Sequence, residues 1–191
     1  SGKQAELRDI INWVRGQDNA TDENVNASYS DVRGSIHADV LHSRPAIVNY
    51  NRTGDNNDIY AFYGSNDGVF HAVHGGNGSG AGTEIWGFVP HQFFGQLKRL
   101  RDNSPSIGTS AKKPYFVDGS VGVYQYDANG DGQLNAGAGD KVYLYLSMRR
   151  GGPYIIALDV SDPANPRFLW ERDSTSPGYG ALGQTWSTPQ V

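Results

Sequence analysis

Short oxygen-bearing side chains alternate along one segment of the chain, residues 127–135, which reads Asp-Ala-Asn-Gly-Asp-Gly-Gln-Leu-Asn. Asp127, Asn129 and Asp131 occupy every second position, and glycines stand where a tight loop must turn. Ca²⁺ is a hard cation that binds about six to eight oxygen ligands, and a D-x-N-x-D-G pattern offers several of them from one short loop. The segment therefore predicts a calcium-binding loop.

The loop departs from the EF-hand pattern at its end. The twelfth position, where an EF-hand has a bidentate Glu, is Ala138, and the next carboxylate is Asp140. We therefore predict a calcium loop without the EF-hand ending. The alternative is a solvated turn between two strands, because Asp, Asn and Gly also favour turns for backbone reasons.

Other ionisable residues offer weaker candidates for a site. His37, Asp39 and His42 have a spacing that could hold a transition metal, but no third anchored ligand is evident, so we expect hydrogen-bonded histidines at a strand entrance. His71 and His74 flank a predicted strand on different faces, which disfavours joint ligation. The sequence contains neither a nucleophile elbow nor a phosphate-binding loop, and we predict no catalytic residues and no enzyme activity.

Composition narrows the class of protein. The 191 residues include 25 Gly, 11 Tyr and 9 Pro, a mixture that favours short strands joined by tight turns. Disulfides and Cys-ligated zinc are excluded because the sequence has no cysteine. The formal charge of −4 comes without a basic stripe, so no nucleic-acid partner is predicted. No apolar run approaches the length of a membrane-spanning helix.

The elements that position the loop form a sequence repeat. Each copy has a Tyr-bearing strand, a glycine-containing turn, an Ala-bearing strand and a Trp-bearing strand. The matching residues are Tyr60 and Tyr143, Ala72 and Ala157, and Trp86 and Trp170. A Pro-led strand precedes each copy, at residues 44–48 and 113–117. Four such strands are typical of a β-propeller blade. The alternative is a β-sandwich.

We therefore predict an all-β fold: a partial β-propeller of about two four-stranded antiparallel blades plus the start of a third, with a short N-terminal helix and one inserted helix. Residues 1–34 hold the helix (4–15) and a polar linker or mobile loop. Residues 35–191 are the propeller fragment. Its parts are blade one at about 43–90, an insertion with a helix at 91–111, blade two at about 113–173 and the start of the next blade at 185–191. The calcium loop joins the first two strands of blade two, at residues 122–126 and 141–143.

Several motifs resemble the C-terminal domain of the PilY/PilC family, the type IV pilus tip-associated adhesins and pilus biogenesis proteins. The segments that carry the resemblance are residues 37–45 (HADVLHSRP), 63–72 (YGSNDGVFHA), 86–90 (WGFVP), 115–120 (YFVDGS) and the calcium loop. The resemblance covers most of the chain from about residue 34 onwards. It implies a modified β-propeller in which calcium occupancy switches pili between extension and retraction.

The resemblance also implies a ligand set. Asp127, Asn129 and Asp131 take the first, third and fifth positions, and Gln133 supplies its backbone carbonyl. The family pattern usually has Asp at the ninth position, where this chain has Asn135, and one carboxylate fewer should weaken calcium binding. Asp140 could replace the missing charge if the loop folds back.

Three functions compete. The first is a calcium-binding module of a type IV pilus biogenesis and adhesion protein, exported to the bacterial cell surface at the pilus tip or outer membrane. Its partners would be minor pilins, the pilus tip complex and a host surface receptor. The second is a quinoprotein-like propeller enzyme with a structural calcium, because the segment Gly-Thr-Glu-Ile-Trp at 82–86 is similar to those propellers. The third is a purely structural propeller with a stabilising ion.

Overall fold

Two sheets make up most of the computed structural model, which describes residues 2–54, 56–108 and 111–190. Each sheet has four antiparallel strands in chain order, which is the arrangement of a β-propeller blade. The first contains β1 (Ala46–Asn49), β2 (Ile59–Gly64), β3 (Phe70–His74) and β4 (Glu84–Phe88). The second contains β5 (Val121–Tyr126), β6 (Lys141–Ser147), β7 (Ile155–Asp159) and β8 (Arg167–Arg172). The predicted all-β class and its two four-stranded units are confirmed.

The sequence repeat is also a repeat in strand register. Ala72 lies opposite Trp86 and Ala157 lies opposite Trp170, and the register shifts directly after the alanine in both sheets. Each tryptophan ring is 5.9 Å from an aromatic ring of the sheet's second strand, Phe62 in one sheet and Tyr145 in the other. A bulge twists a strand locally, so the two sheets bend at the same point.

One apolar core is shared by both sheets. Its fully buried side chains come from the two sheets and from the segment between them, and include Val48, Phe62, Phe116, Leu144 and Ile156. A buried hydrogen bond crosses the core: the Tyr50 hydroxyl donates to the Val160 carbonyl over 2.5 Å. Burial raises the pKa of the Tyr50 hydroxyl, which therefore stays protonated and remains a donor.

The predicted strand at residues 113–117 is wrong. This segment pairs with no strand, and the first strand of the second sheet is β5 instead. The segment passes so close to β2 that a Cβ on Gly64 would lie 2.0 Å from the Val117 carbonyl oxygen. The Phe116 amide donates to the Asn66 side chain over 3.1 Å rather than to a neighbouring strand. Its Pro-led, apolar pattern reflects burial and not ladder pairing.

In the part of the chain that the structure describes, two α-helices lie outside the sheets: α1 (Gly2–Val14) and α2 (Phe94–Asp102). The predicted inserted helix is confirmed. A short 3-10 turn leads into α2, whose Leu97 is buried. On α1, Trp13 is buried beneath the Arg33 guanidinium, 4.0 Å from the ring centroid. Leu7 and Ile11 of α1 remain 58% and 47% exposed. Within the described residues, no helix is long and apolar enough to cross a bilayer.

The polar segment at 17–34 is folded, although the sequence predicts a linker or mobile loop. Gln17 and Val32 form an isolated antiparallel bridge, and the Arg33 amide donates to the Gly16 carbonyl over 2.8 Å. The segment is held by hydrogen bonds from polar side chains, which leave no hydrophobic pattern in the sequence.

The start of a third blade stays a prediction. Residues 185–190 contain no strand, and Val191 lies outside the described residues. The segment nevertheless packs on the second sheet, because a Cβ on Gly122 would lie 2.2 Å from the Pro189 carbonyl oxygen.

A buried histidine joins β3, β4 and the preceding turn. The ring of His71 lies 3.1 Å from Asp67 through Nε2 and 3.0 Å from Glu84 through Nδ1. Burial alone would lower the pKa of His71, but the hydrogen bonds with Asp67 and Glu84 outweigh it and raise the pKa to about 9. The ring is therefore an imidazolium at neutral pH, held between two carboxylates.

Substituting Tyr50 with Phe should lower the free energy of unfolding by about 1 to 2 kcal/mol, because the buried Val160 carbonyl loses its donor. Urea unfolding measures the loss. Tyr126→Phe is the matched control, since Tyr126 is 50% exposed and the same deletion there should change stability by less than about 0.5 kcal/mol. Equal effects at the two positions would contradict a bridging role for Tyr50.

Substituting His71 with Gln should destabilise the protein in a pH-dependent way. Because folding raises the pKa of His71 from 6.5 to about 9, the stabilisation is complete below pH 6.5 and is lost as the pH rises through about 9. At the acid side of this window, the wild type should be more stable than the variant by on the order of 2 kcal/mol. The figure is smaller than the full pKa shift would give, because half-exposed Glu84 contributes less than buried Asp67. Urea unfolding on both sides of the window measures it, and an unchanged gap would refute the ion-pair assignment.

Candidate metal centre

The predicted calcium loop connects β5 to β6. Tyr126, at the end of β5, lies opposite Lys141, at the start of β6, so the ladder brings both ends of the loop together. A 3-10 turn (Ala136–Ala138) completes the connection. The loop therefore grows from a rigid hairpin, and its shape depends on contacts within residues 127–140.

Asp127 organises the first half of the loop. Its Oδ1 accepts the Gly130 amide over 2.7 Å and its Oδ2 accepts the Gly132 amide over 2.8 Å. Both glycines have positive φ, 73° and 77°, which a side chain would oppose. The Gly132 amide, followed by that of Gly130, lowers the pKa of Asp127 below its ordinary value. Asp127 is therefore ionised at neutral pH and already oriented.

Asn129 and Asp131 are adjacent in the structure. The Asn129 amide nitrogen donates to Asp131 Oδ2 over 3.0 Å, and Asn129 Oδ1 accepts the Asp131 backbone amide over 3.1 Å. Asp131 Oδ1 accepts the Gln133 amide over 2.8 Å. Both side chains are exposed, so a cation from solvent can reach their oxygens. The structure thus groups the oxygens that the sequence places at the third and fifth positions.

The other two candidate ligands have structural partners. Asn135 Oδ1 accepts the Gly137 amide over 3.0 Å and caps the 3-10 turn. Asp140 is buried, and its two oxygens accept the Ala128 and Asn135 amides over 2.8 and 2.7 Å. Asp140 therefore joins the beginning of the loop to its end. The sequence suggested that Asp140 could be a replacement ligand. In the structure, the Asp140 carboxylate instead accepts the two backbone amides that close the loop.

The loop is also attached to the first sheet. The Leu134 amide donates to the Tyr50 carbonyl over 2.8 Å, and the Leu134 side chain is buried. The Asn51 side chain donates to the Gly132 carbonyl over 3.0 Å. The sequence analysis did not predict these contacts. Their one signal in the sequence is Leu134, an apolar residue in a polar loop. The loop therefore spans both sheets.

The donor set of the loop consists of oxygens alone. Asp127 and Asp131 offer carboxylates, Asn129 offers an amide oxygen, and Gln133 offers its carbonyl. Hard cations such as Ca²⁺ prefer these ligands, whereas zinc and copper prefer imidazole or thiolate. The residues present thus fit calcium.

The histidines of the sequence motif do not form a joint site. His42 Nδ1 lies 2.9 Å from Asp118, and Asp39 forms an ion pair of 2.5 Å with Lys113. His74 contacts the Asn57 carbonyl over 2.6 Å. These contacts agree with the expectation of separate hydrogen-bonded side chains.

One grouping escaped the sequence reasoning. His37, His71 and Glu84 each place a potential ligand atom within 4.8 Å of the others, in the part of the chain that the structure describes. Both ring nitrogens of His71 already face carboxylates, and its raised pKa keeps the ring protonated. In the structure the cluster is therefore a set of ion pairs around His71, with both ring nitrogens engaged by carboxylates.

No protein-family model matches the chain. A type IV pilus biogenesis factor PilY1 homolog from Xylella fastidiosa is 30% identical over 202 residues, which cover 95% of this chain and 15% of that protein. The type IV pilus biogenesis factor PilY1 of Pseudomonas aeruginosa (strain UCBPP-PA14) is 28% identical over 201 residues, again 95% of this chain and 15% of that protein. The chain thus spans about 15% of the length of these relatives.

Among solved structures, the crystal structure of the Pseudomonas aeruginosa PilY1 C-terminal domain is 28% identical, with a TM-score of 0.38. The alignment covers 61% of this chain and 19% of that chain. One curated relative is named PilY1 and the other a PilY1 homolog, and both match nearly the whole of this sequence. The chain therefore belongs to the PilY/PilC family, as its motifs indicated.

Proposed function

We propose that residues 127–135 bind Ca²⁺ and that this module acts in type IV pilus biogenesis and surface attachment. The observation that carries the calcium assignment is the ordered loop itself. Asp127 is fixed by two backbone amides, and Asn129 and Asp131 are grouped beside it on an exposed surface. A bare turn does not require acids at alternate positions, whereas an ion coordinated by one short loop does.

The attachment of the loop suggests how calcium could act on a partner. An ion would neutralise clustered carboxylates and stiffen a loop that contacts the first sheet through Leu134 and the second through its own strands. Beside the loop lies an open groove lined by Ala136 and by the Asp159–Arg167 ion pair of 3.1 Å. Stiffening the loop would fix the position of Ala136, which forms the wall of the groove on the loop side. A partner that prefers the ordered wall would then bind better in calcium.

The pilus role comes from the relatives, which are named as type IV pilus biogenesis factors. We place this protein at the bacterial cell surface, at the pilus tip or outer membrane, with minor pilins and the pilus tip complex as partners and a host surface receptor as a further one. In this role, calcium occupancy regulates pilus extension and retraction. The chemistry is reversible ion binding and requires no catalytic residue.

Replacing Asp127 and Asp131 together by Ala should remove the calcium-binding heat of this loop in calorimetry. Wild type should gain about 2 to 3 kcal/mol of unfolding free energy at a calcium concentration about one hundred times the Kd, and the variant should lose that gain. Asp173→Ala is the matched control, because Asp173 also accepts turn amides but lies outside the loop. Identical binding heats in wild type and the loop variant would disprove the assignment, provided circular dichroism shows both folded.

In bacteria that carry this protein, the same double substitution should change retraction-dependent spreading and surface attachment. We expect this change because the variant cannot bind the ion and so cannot populate the calcium-dependent state. An ion shifts an equilibrium between two states only through the difference in its affinity for them. Surface motility, attachment and the amount of surface protein would be measured together, with Asp173→Ala as control. Normal motility and attachment in a strain with proven loss of calcium binding would leave calcium a stabilising role only.

A further inference from the structure

A carboxylate without a counter-ion lies at the C-terminal end of α1. Asp18 has no exposed surface. Its Oδ2 accepts one long hydrogen bond of 3.4 Å from the Asn24 amide, and its Oδ1 has no hydrogen-bond partner among the described residues. An ionised carboxylate is not stably buried unless a charge or several donors compensate it. Something positive therefore belongs beside Asp18.

Two further buried oxygens in the same segment share this property. Asn19 Oδ1 and Asp31 Oδ1 also lack hydrogen-bond partners among the described residues. The Asp18 amide donates to the Asp31 carbonyl over 2.8 Å, and the Asn24 side chain lies 3.4 Å from Asp31 Oδ2. The three unpaired oxygens are acceptors, and one donor of the segment, the Nε of Arg33, is also buried without a partner among the described residues. A group that satisfies the three oxygens must be a cation or a donor.

The terminal nitrogens of Arg33, the buried cation of this segment, are already engaged. The Arg33 guanidinium donates to the Ser35 and Ile36 carbonyls over 2.8 and 3.2 Å. It also pairs with Glu23 at 3.5 Å and stacks on Trp13. None of these contacts reaches the unpaired oxygens of Asp18 and Asp31, and the Arg33 Nε also lacks a partner among the described residues.

The backbone of this segment repeats that of the calcium loop. Residues 22–28 match residues 127–133, with oxygen-bearing side chains at the first, third and fifth positions of both. The residues at the fourth and sixth positions have positive φ in both: Val25 (53°) and Ala27 (62°) in one, Gly130 and Gly132 in the other. Asp22 Oδ2 accepts the amide of the sixth residue over 2.9 Å, as Asp127 Oδ2 does over 2.8 Å.

The fifth residue also behaves alike in the two loops. Asn26 Oδ1 accepts the Ser28 amide over 2.9 Å, and Asp131 Oδ1 accepts the Gln133 amide over 2.8 Å. In the 22–28 segment, however, the positive φ values fall on Val and Ala rather than on glycine. A β-branched residue in this region is strained and persists only where its surroundings enforce it.

We infer that residues 18–31 form a second divalent-cation site, of the calcium type. Its ligands are side-chain oxygens of Asp18, Asp22, Asn24, Asn26 and Asp31. The donor set is entirely oxygen, which favours a hard cation such as Ca²⁺ over zinc or copper. The carboxylates of the described residues do not alone gather three ligand atoms within 4.8 Å here, so the site requires the amide oxygens of Asn24 and Asn26 as ligands.

The site would brace the N-terminal helix. Asn19 donates to the Asp9 carbonyl of α1 over 2.8 Å, and the Gln17–Val32 bridge closes the segment on its other side. An ion held between Asp18 and Asp31 therefore ties the end of α1 to the chain that enters the first sheet. This inference does not rest on calcium binding at residues 127–135, and each site can be tested without the other.

Calcium calorimetry on four proteins tests the inference. Substituting Asp127 and Asp131 with Ala should leave about one equivalent of calcium bound, and Asp18→Asn should likewise lower the wild-type stoichiometry by about one. The variant that combines all three substitutions should bind none. If Asp18→Asn leaves the stoichiometry of the double loop variant unchanged, or if that double variant binds no calcium, the second site does not exist.

Asp18→Asn has a second readout. Removing an uncompensated buried charge should raise the melting temperature in the calcium-free state. The increase in melting temperature that calcium produces by binding at this site should vanish. Glu23→Gln is the matched control: it removes the same charge from the same segment, but Glu23 is paired with Arg33 and the Ser35 amide. It should retain the calcium equivalent. A lower calcium-free melting temperature in Asp18→Asn, with calcium binding unchanged, would show that Asp18 is a structural hydrogen-bonding residue.

Discussion

Burial of one apolar face of each sheet against the other is the interaction on which the remaining structure depends. A four-stranded sheet has two faces and cannot cover either by itself, so the two sheets and the chain between them form a single core. Side chains from β1, β2, β6 and β7 are fully buried in it. The inter-sheet hydrogen bond of Tyr50 is strong for the same reason, since water cannot compete for the Val160 carbonyl inside the core.

The same need for cover explains the two segments that follow the sheets. Residues 113–117 pack across the end of β2, and the Phe116 amide donates to Asn66. After the second sheet, the Met148 amide at the end of β6 donates to the Thr185 side chain over 2.8 Å. Both segments thus seal the end of the second strand in the preceding sheet. The sequence predicts a strand in each segment because each carries a proline, whereas both segments as described contain no strand and contact the end of a strand instead.

Periodic features of the sequence predicted the fold well, and features without a period did not. Strand alternation, the glycine-containing turns and the paired Ala and Trp positions identified both sheets, and the helical spacing of Phe93, Leu97 and Leu100 identified α2. The spacing of Asp127, Asn129 and Asp131 predicted a calcium loop, and the structure places these residues in the connection between β5 and β6, while calcium binding there stays a proposal. The role of Asp140 and the folded state of residues 17–34 were not predictable in this way, because both depend on side-chain to backbone hydrogen bonds that close only in three dimensions.

Both proposed cation sites lie where apolar burial is too small to fix an element. The sheets hold each other through the core, and an ion would add little to them. The loop at 127–135 is exposed, and α1 keeps Leu7 and Ile11 largely in solvent while contacting α2 through the Lys98–Glu6 ion pair of 2.8 Å. Such elements have low local stability, so a few kcal/mol from a bound ion can decide their order. Calcium would therefore act on the exposed parts that partners can contact and leave the blade architecture unchanged.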